Sequence, residues 1–263
     1  MNYETLCIKV TKIATEAGNF IRKEKDHISA ENVKEKDLHS YVTYVDTETE
    51  KLIVSKLENI IPNAAFLTEE ETIQNEQKEY TWIIDPLDGT TNYIHGLYPC
   101  SVSIALRHND ETVIGVVYEV GHNECFYTWK NGPAYLNGNE ISVSGTQSLE
   151  KALVATGFPY YDYERLENLL QCLKHFMKNT HGVRRHGSAA TDLAYVACGR
   201  YEAFFEYSLN PWDVAAGALI VKQAGGIVTD FSGENNYLFG QEIIASNKFV
   251  YSEFYKIIKE SMF

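Results

Sequence analysis

Apolar residues recur at steps of three and four at the start of the chain: Leu6, Val10, Ile13, Ala17, Phe20 and Ile21. That spacing predicts one amphipathic helix over residues 3–24. From 25 to 41 the pattern gives way to polar and charged positions, including Lys34-Glu35-Lys36-Asp37, and predicts a solvated loop. Leu52, Ile53, Leu57 and Ile60 place a second helix after residues 42–45, with Asp46 or Thr47 as its ordinary N-cap. Residues 64–68 read as a short strand running into Glu69, Glu70 and Glu71. Trp82, Ile83 and Ile84 read as a buried strand running into Asp85, with Pro86 and Gly89 as the turn that ends it. If those two strands pair, Glu69 and Asp85 leave the same edge of one sheet.

Residues 100–107, 112–120 and 124–130 are rich in Val, Ile, Tyr and Phe, and short polar connections between them predict an antiparallel meander. Residues 142–148 are small and polar, which suits a boundary between a first half, 1–145, and a second half, 146–263. The second half alternates strand and helix patterns. Strands are expected at 152–156, 183–185, 203–206, 226–230 and 242–245. One helical face carries Leu166, Leu169, Leu170, Leu173, Phe176 and Met177. Another helix follows Gly187-Ser188, a third spans 214–224, and a last one carries Phe249, Phe254, Ile257 and Ile258.

A length of 263 residues suits one large domain or two fused halves, and 44% hydrophobic with 22% charged residues is ordinary globular composition. The net charge of −13, from 36 acidic and 23 basic residues, argues against a nucleic-acid backbone or an anionic membrane as partner. It also means that any phosphate site needs local cations. Five scattered cysteines without a C-x-x-C, and no apolar stretch after Met1, point to free thiols in a cytoplasmic protein. No apolar run is long enough to span a membrane.

The chemistry gathers at residues 82–92, Trp-Ile-Ile-Asp-Pro-Leu-Asp-Gly-Thr-Thr-Asn. Two carboxylates at the mouth of a strand can hold a hard cation. The hydroxyls, amide and backbone N–H groups of Thr90, Thr91 and Asn92 can hold phosphate oxygens. The plain alternative is a turn whose aspartates cap their own backbone. Ser188 stands at a helix start, where a simple cap is equally natural, and Asp213 at another, where a structural role is the more natural reading. His95 and His186 fit structural roles better than site roles.

The acids at 69 and 70, the D-P-L-D-G-T-T stretch at 85–91 and W-D-V-A-A-G at 212–217 resemble the inositol monophosphatase family over almost the whole chain. The resemblance implies an α/β fold of alternating αβαβα layers, Mg²⁺-dependent hydrolysis of a small phosphate monoester and a homodimer. Glu69 and Asp85 match first-metal ligands, with the Leu87 carbonyl. Asp85, Asp88 and Asp213 match second-metal ligands. Asp46 and Thr90 match the pair that orients the attacking water, and Glu70 a supporting acid. The Gly89 and Thr90 amides match the phosphate cradle. Gly187, Ser188, Ala189 and Glu206 match contacts to the leaving alcohol, and Lys36 matches a lysine near the metals. The stretch before Asp46, Ser40-Tyr41-Val42-Thr43, departs from the family's usual Asp-Leu-Val-Thr. A carboxylate set without His or Cys fits Mg²⁺ better than zinc, with about two or three ions per subunit. Inositol monophosphate is the expected substrate. A 3′-phosphoadenosine nucleotide, fructose 1,6-bisphosphate or histidinol phosphate is the alternative, and a non-catalytic metal- or phosphate-binding protein is the reading from another class.

Overall fold

A computed structural model describes residues 1–27, 33–37, 40–71 and 78–263. Five layers alternate helix and sheet. The first holds α1 (Tyr3–Glu24) and α2 (Tyr44–Glu58). They cover one face of a seven-stranded sheet made of β3 (Ala65–Thr68), β4 (Tyr80–Asp88), β5 (Ser101–His108), β6 (Glu111–Glu119), β7 (Glu124–Trp129), β8 (Ala134–Leu136) and β9 (Asn139–Ile141), paired in that order. The middle layer is α5 (Ala189–Ala197) and α6 (Pro211–Gln223). Beyond it lies a five-stranded sheet of β10 (Leu153–Thr156), β11 (Gly182–Arg184), β12 (Ala203–Tyr207), β13 (Ile227–Thr229) and β14 (Glu242–Ser246), ordered 11-10-12-14-13. The outer layer is α4 (Leu166–Asn179) and α7 (Tyr251–Met262).

Strand alternation builds three cores from two sheets. On β4, Trp82 and Ile84 face α1 and α2, and Ile83 faces the middle layer. On β12, Phe204 faces the middle layer, and Phe205 and Tyr207 face the outer helices. Both faces of each central strand are covered, so these strands read as near-continuous apolar runs. Gly115 on β6 lets α6 lie almost against the sheet; a Cβ there would sit 2.6 Å from the Ala216 carbonyl oxygen.

Residues 33–37 and 40–41 differ from the expected loop. β1 (Val33–Asp37) and β2 (Ser40–Thr43) form an antiparallel hairpin. Its charged sequence hides the strands because strand propensity is low for Lys, Glu and Asp. Lys36 falls on β1, where its side chain lies outside the described ones. The helix after it starts earlier than expected, with Thr43 as N-cap and Asp46 one turn inside. On α4, Leu169, Cys172 and Phe176 are buried, whereas Leu170 and Met177 are exposed, so the apolar face is narrower than its leucines suggest. Phe249 precedes α7 and is exposed.

Candidate active site

β4 does not end at Asp85. It runs through Pro86 to Asp88, and its pairing with β5 slips by one residue between Asp85, opposite Ser103, and Asp88, opposite Ser101. The slip decides the geometry. In a regular strand, residues three apart face opposite sides. One extra residue restores the parity, as a β-bulge does. Ser101 and Ser103 share the face that looks into the middle layer, so Asp85 and Asp88 share it too. β3 runs parallel to β4, with Thr68 opposite Ile84, and the Glu69 amide bonds the Ile84 carbonyl. Glu69 therefore stands beside Asp85, as the strand pattern anticipates.

Asp213 reaches the same point from the first turn of α6, where its Oδ2 accepts the Asn210 amide at 2.7 Å. Glu69, Asp85, Asp88 and Asp213 line one cavity. Burial is the first reason that Asp85 stays well above the usual carboxylate range; the charges of Glu69, Asp88 and Asp213 add to it. Burial likewise raises Asp213, with Asp88 next. Asp88 is pushed up to about 6 by burial, although Ser188 Oγ (2.6 Å) and the Ala190 amide (2.8 Å) both donate to its Oδ2.

Asp46 stands behind this group and does not line the cavity. Its Oδ2 accepts from the Thr43 amide (2.9 Å) and hydroxyl (2.6 Å), closing the cap of α2. Its Oδ1 lies 2.9 Å from Thr90 Oγ1, which is equally 2.9 Å from the Leu87 carbonyl. Burial raises Asp46, against the hydrogen bonds from Thr43 and Thr90. Glu70 is half-buried and also off the cavity wall; its amide donates to Glu50 Oε2 at 2.9 Å.

Gly89 adopts φ +90° and opens α3 (Thr90–Ile94), whose first amides have no helical carbonyl to bond. A Cβ on Gly89 would sit 3.1 Å from the carbonyls of Gly187 and Pro99. Asn92 is not a ligand donor, contrary to the sequence reading. Its amide donates to the carbonyls of Pro99 (2.8 Å) and His186 (2.6 Å), tying the motif to the second half. Ser188 is the N-cap of α5 and 1% exposed, its hydroxyl engaged by Asp88 and Thr191. Gly187 and Ala189 line the cavity beside it. His186 packs against Tyr201, its ring nitrogens 2.8 and 3.2 Å from that hydroxyl, in a structural place.

Glu206, from β12, and Arg185 also line the cavity. Burial raises Glu206 well above its usual range, Asp192 and Asp88 add to that, and Arg185 opposes it. Arg185 is the one cation lining the cavity among the described residues, and the sequence reading missed it. Its neighbour Arg184 is exposed, and nothing in a two-arginine run says which one turns inward. Glu50 was missed as well. Fully buried on α2, it accepts from Thr68 Oγ1 (3.0 Å) and the Glu70 amide, and so fixes the turn that carries Glu69.

The donor set is all hard oxygen, half-buried or buried and mutually repelling, which suits Mg²⁺. Another acidic group, Glu119, His122 and Glu124, sits at the β6–β7 turn. Its carboxylates are already engaged, Glu119 by the Gly121 and His122 amides and Glu124 by Arg200.

The family model described as "Inositol monophosphatase family" matches residues 2–262. A protein of Pseudomonas aeruginosa named Nus factor SuhB is 42% identical, covering 90% of this chain and 89% of its own length. The inositol-1-monophosphatase of Mesorhizobium japonicum is 35% identical, covering 96% of each. The solved structure of a Thermotoga maritima IMPase superposes with a TM-score of 0.89 at 34% identity, covering 98% of both chains.

Proposed function

The chain belongs to the inositol monophosphatase family, and from that premise we propose that it hydrolyses a small polyol phosphate, inositol monophosphate above all, with Mg²⁺. The observation that carries the reading is the convergence of Glu69, Asp85, Asp88 and Asp213 on one cavity that the Gly89 turn and Glu206 also line. The four carboxylates and the Leu87 carbonyl would hold the metal. When bound there, the cations would neutralise the phosphate dianion and stabilise the charge on the attacking and leaving oxygens.

The chain's own residues supply the rest. The Gly89 and Thr90 amides donate to phosphate oxygens. Thr90 Oγ1 donates to Asp46 Oδ1 and accepts from a water, which fixes that water against phosphorus. The raised affinity of Asp46 for a proton makes it the sink for the one the water gives up through Thr90. Glu70 adds negative charge behind that step. Gly187, Ser188 and Ala189 shape the floor under the leaving alcohol, and Glu206 accepts its hydroxyls. A cytoplasmic homodimer, with halves at 1–145 and 146–263, belongs to the same proposal. Among the described residues no helix is long and apolar enough to cross a membrane.

The test is phosphate release from inositol 1-phosphate with Mg²⁺ and after chelation. It is run beside 3′-phosphoadenosine nucleotides, fructose 1,6-bisphosphate and histidinol phosphate. Mg²⁺-dependent release with inositol 1-phosphate preferred is expected; a different preferred substrate would replace the polyol assignment.

A second reading comes from the relatives named Nus factor SuhB at 39–42% identity. The chain would then have a role of that kind separate from hydrolysis, and the expectation of no nucleic-acid partner would fall with it. A turnover-dead Asp85→Asn copy that restores growth to cells lacking the native gene would support this reading. Failure to restore growth would place the role in hydrolysis.

A further inference from the structure

Two glycines make room for two opposite charges in the lining of the cavity. A Cβ on Gly157 would sit 1.8 Å from Glu206 Oε1. A Cβ on Gly187, which has φ +86°, would sit 2.8 Å from Arg185 Nη1. The carboxylate and the guanidinium thus both lie against bare backbone. They influence each other, Arg185 pulling Glu206 down against its burial, yet they form no ion pair. Arg185 Nη2 donates to the Tyr160 hydroxyl at 2.8 Å, and its buried Nε has no partner among the described residues. The guanidinium lies 5.5 Å from the Phe158 ring centre and 5.8 Å from that of Tyr160. Both rings also line the cavity, and both are more than a third exposed (44% and 37%).

We propose that Arg185, held by Tyr160 and Phe158, is a specificity-determining residue that selects a neutral ring polyol as the leaving group. This rests on the phosphatase reading above and deepens it. The wall offers a fixed donor fork beside a fixed acceptor. Adjacent hydroxyls on one ring can accept from Arg185 and donate to Glu206 at the same time. The aromatic faces, negative at their centres, pack the C–H side of such a ring. A leaving group with its own anion is disfavoured, because Glu206, Asp88 and the buried Asp192 all act on this space against one guanidinium. A leaving group without hydroxyls leaves the guanidinium and the carboxylate unmatched.

The experiment compares inositol 1-phosphate with ethyl phosphate, whose leaving group cannot reach the wall. Both are assayed with Mg²⁺ for wild type, Arg185→Ala, Arg185→Lys and Tyr160→Phe. Arg185→Ala should lower kcat/KM for inositol 1-phosphate by about tenfold or more, mainly through KM, and leave ethyl phosphate within about twofold. Product inhibition by free myo-inositol should weaken in the same variant, while inhibition by inorganic phosphate stays as it was. Lys, which cannot present the fork, should rescue only in part, and Tyr160→Phe should show a smaller loss in the same direction. An equal loss on both substrates, or weakened phosphate inhibition, would overturn the proposal, as would an unchanged preference in all three variants. Wild type that turns over ethyl phosphate but prefers no ring polyol would refute the polyol reading itself, before any variant is compared.

Discussion

Asp46 and Asp213 each carry two jobs on two oxygens. Sequence reasoning sets helix cap against site residue as rivals for both. In the structure, Oδ2 of each bonds a cap amide, Thr43 or Asn210, while the rest of the carboxylate turns to the site. A sequence shows a residue type and a position, and cannot show that one side chain serves both readings. Glu69, Asp85, Asp88 and Asp213 were legible because the acids at 69 and 70 and the D-P-L-D-G-T-T and W-D-V-A-A-G stretches together resemble one family, where each residue alone left a cap, turn or loop as an alternative. Arg185 and Glu50 were not, because their roles depend on which of two arginines turns inward and on a contact eighteen residues away. At this scale Thr90→Ala should cut kcat about a hundredfold, whereas Thr90→Ser, which keeps the hydroxyl, should retain most of it; steady-state kinetics at saturating Mg²⁺ checks both. Asp85→Asn should abolish turnover. It should also raise the melting temperature of the chelated protein, because it removes one of four mutually repelling acids. A folded Asp85→Asn enzyme with full activity would sink the assignment.

Among the elements, the bulge in β4 matters more than any single ligand. The motif Asp-Pro-Leu-Asp reads as a turn because Pro and Gly are turn residues. Here Pro86 sits inside the strand at the irregularity that lets both aspartates face α5 and α6. Periodicity recovered the long helices α1 and α4 and the meander, since those are decided by local burial. It missed the β1–β2 hairpin, whose Lys, Glu and Asp residues carry little strand propensity, and it widened the face of α4 by counting leucines. The middle layer holds its distance by small residues: Gly115 meets Ala216, and a Cβ on Gly217 would sit 2.6 Å from Leu193 Cβ. Gly115→Ala should therefore cost about 1–3 kcal/mol by forcing α6 off the sheet, read as a lowered urea midpoint at unchanged slope.

For the molecule as a whole, the site is a seam. Its acids come from the end of β3, β4 and α6, and Glu206 and Arg185 come from β12 and the turn before α5, so it exists only when both sheets are docked on the middle layer. Raised carboxylates give the metal-free protein a definite pH dependence. Asp88, raised from 3.8 to about 6, contributes stability that is full below pH 3.8 and is lost as pH rises through about 6. Asp85, Asp213 and Glu206 shift in the same direction. The chelated protein should melt at least about 3 °C lower at pH 7.5 than at pH 5. Added Mg²⁺ should reverse that at pH 7.5 and do little at pH 5, where protons already occupy the acids. Calorimetry at the two pH values decides it; a chelated protein more stable at pH 7.5 would contradict the electrostatics described here.

The bond from the Asn210 amide to Asp213 joins two clocks. Fraying of a first helical turn is among the fastest and cheapest openings a folded chain makes. In α6 that opening carries away the carboxylate of Asp213, so if Asp213 holds a cation as proposed, the lifetime of the bound cation and the lifetime of the turn would limit each other. We expect the Asn210 amide to exchange its hydrogen more slowly once Mg²⁺ is added, and exchange that is indifferent to the metal would show that the two lifetimes are independent.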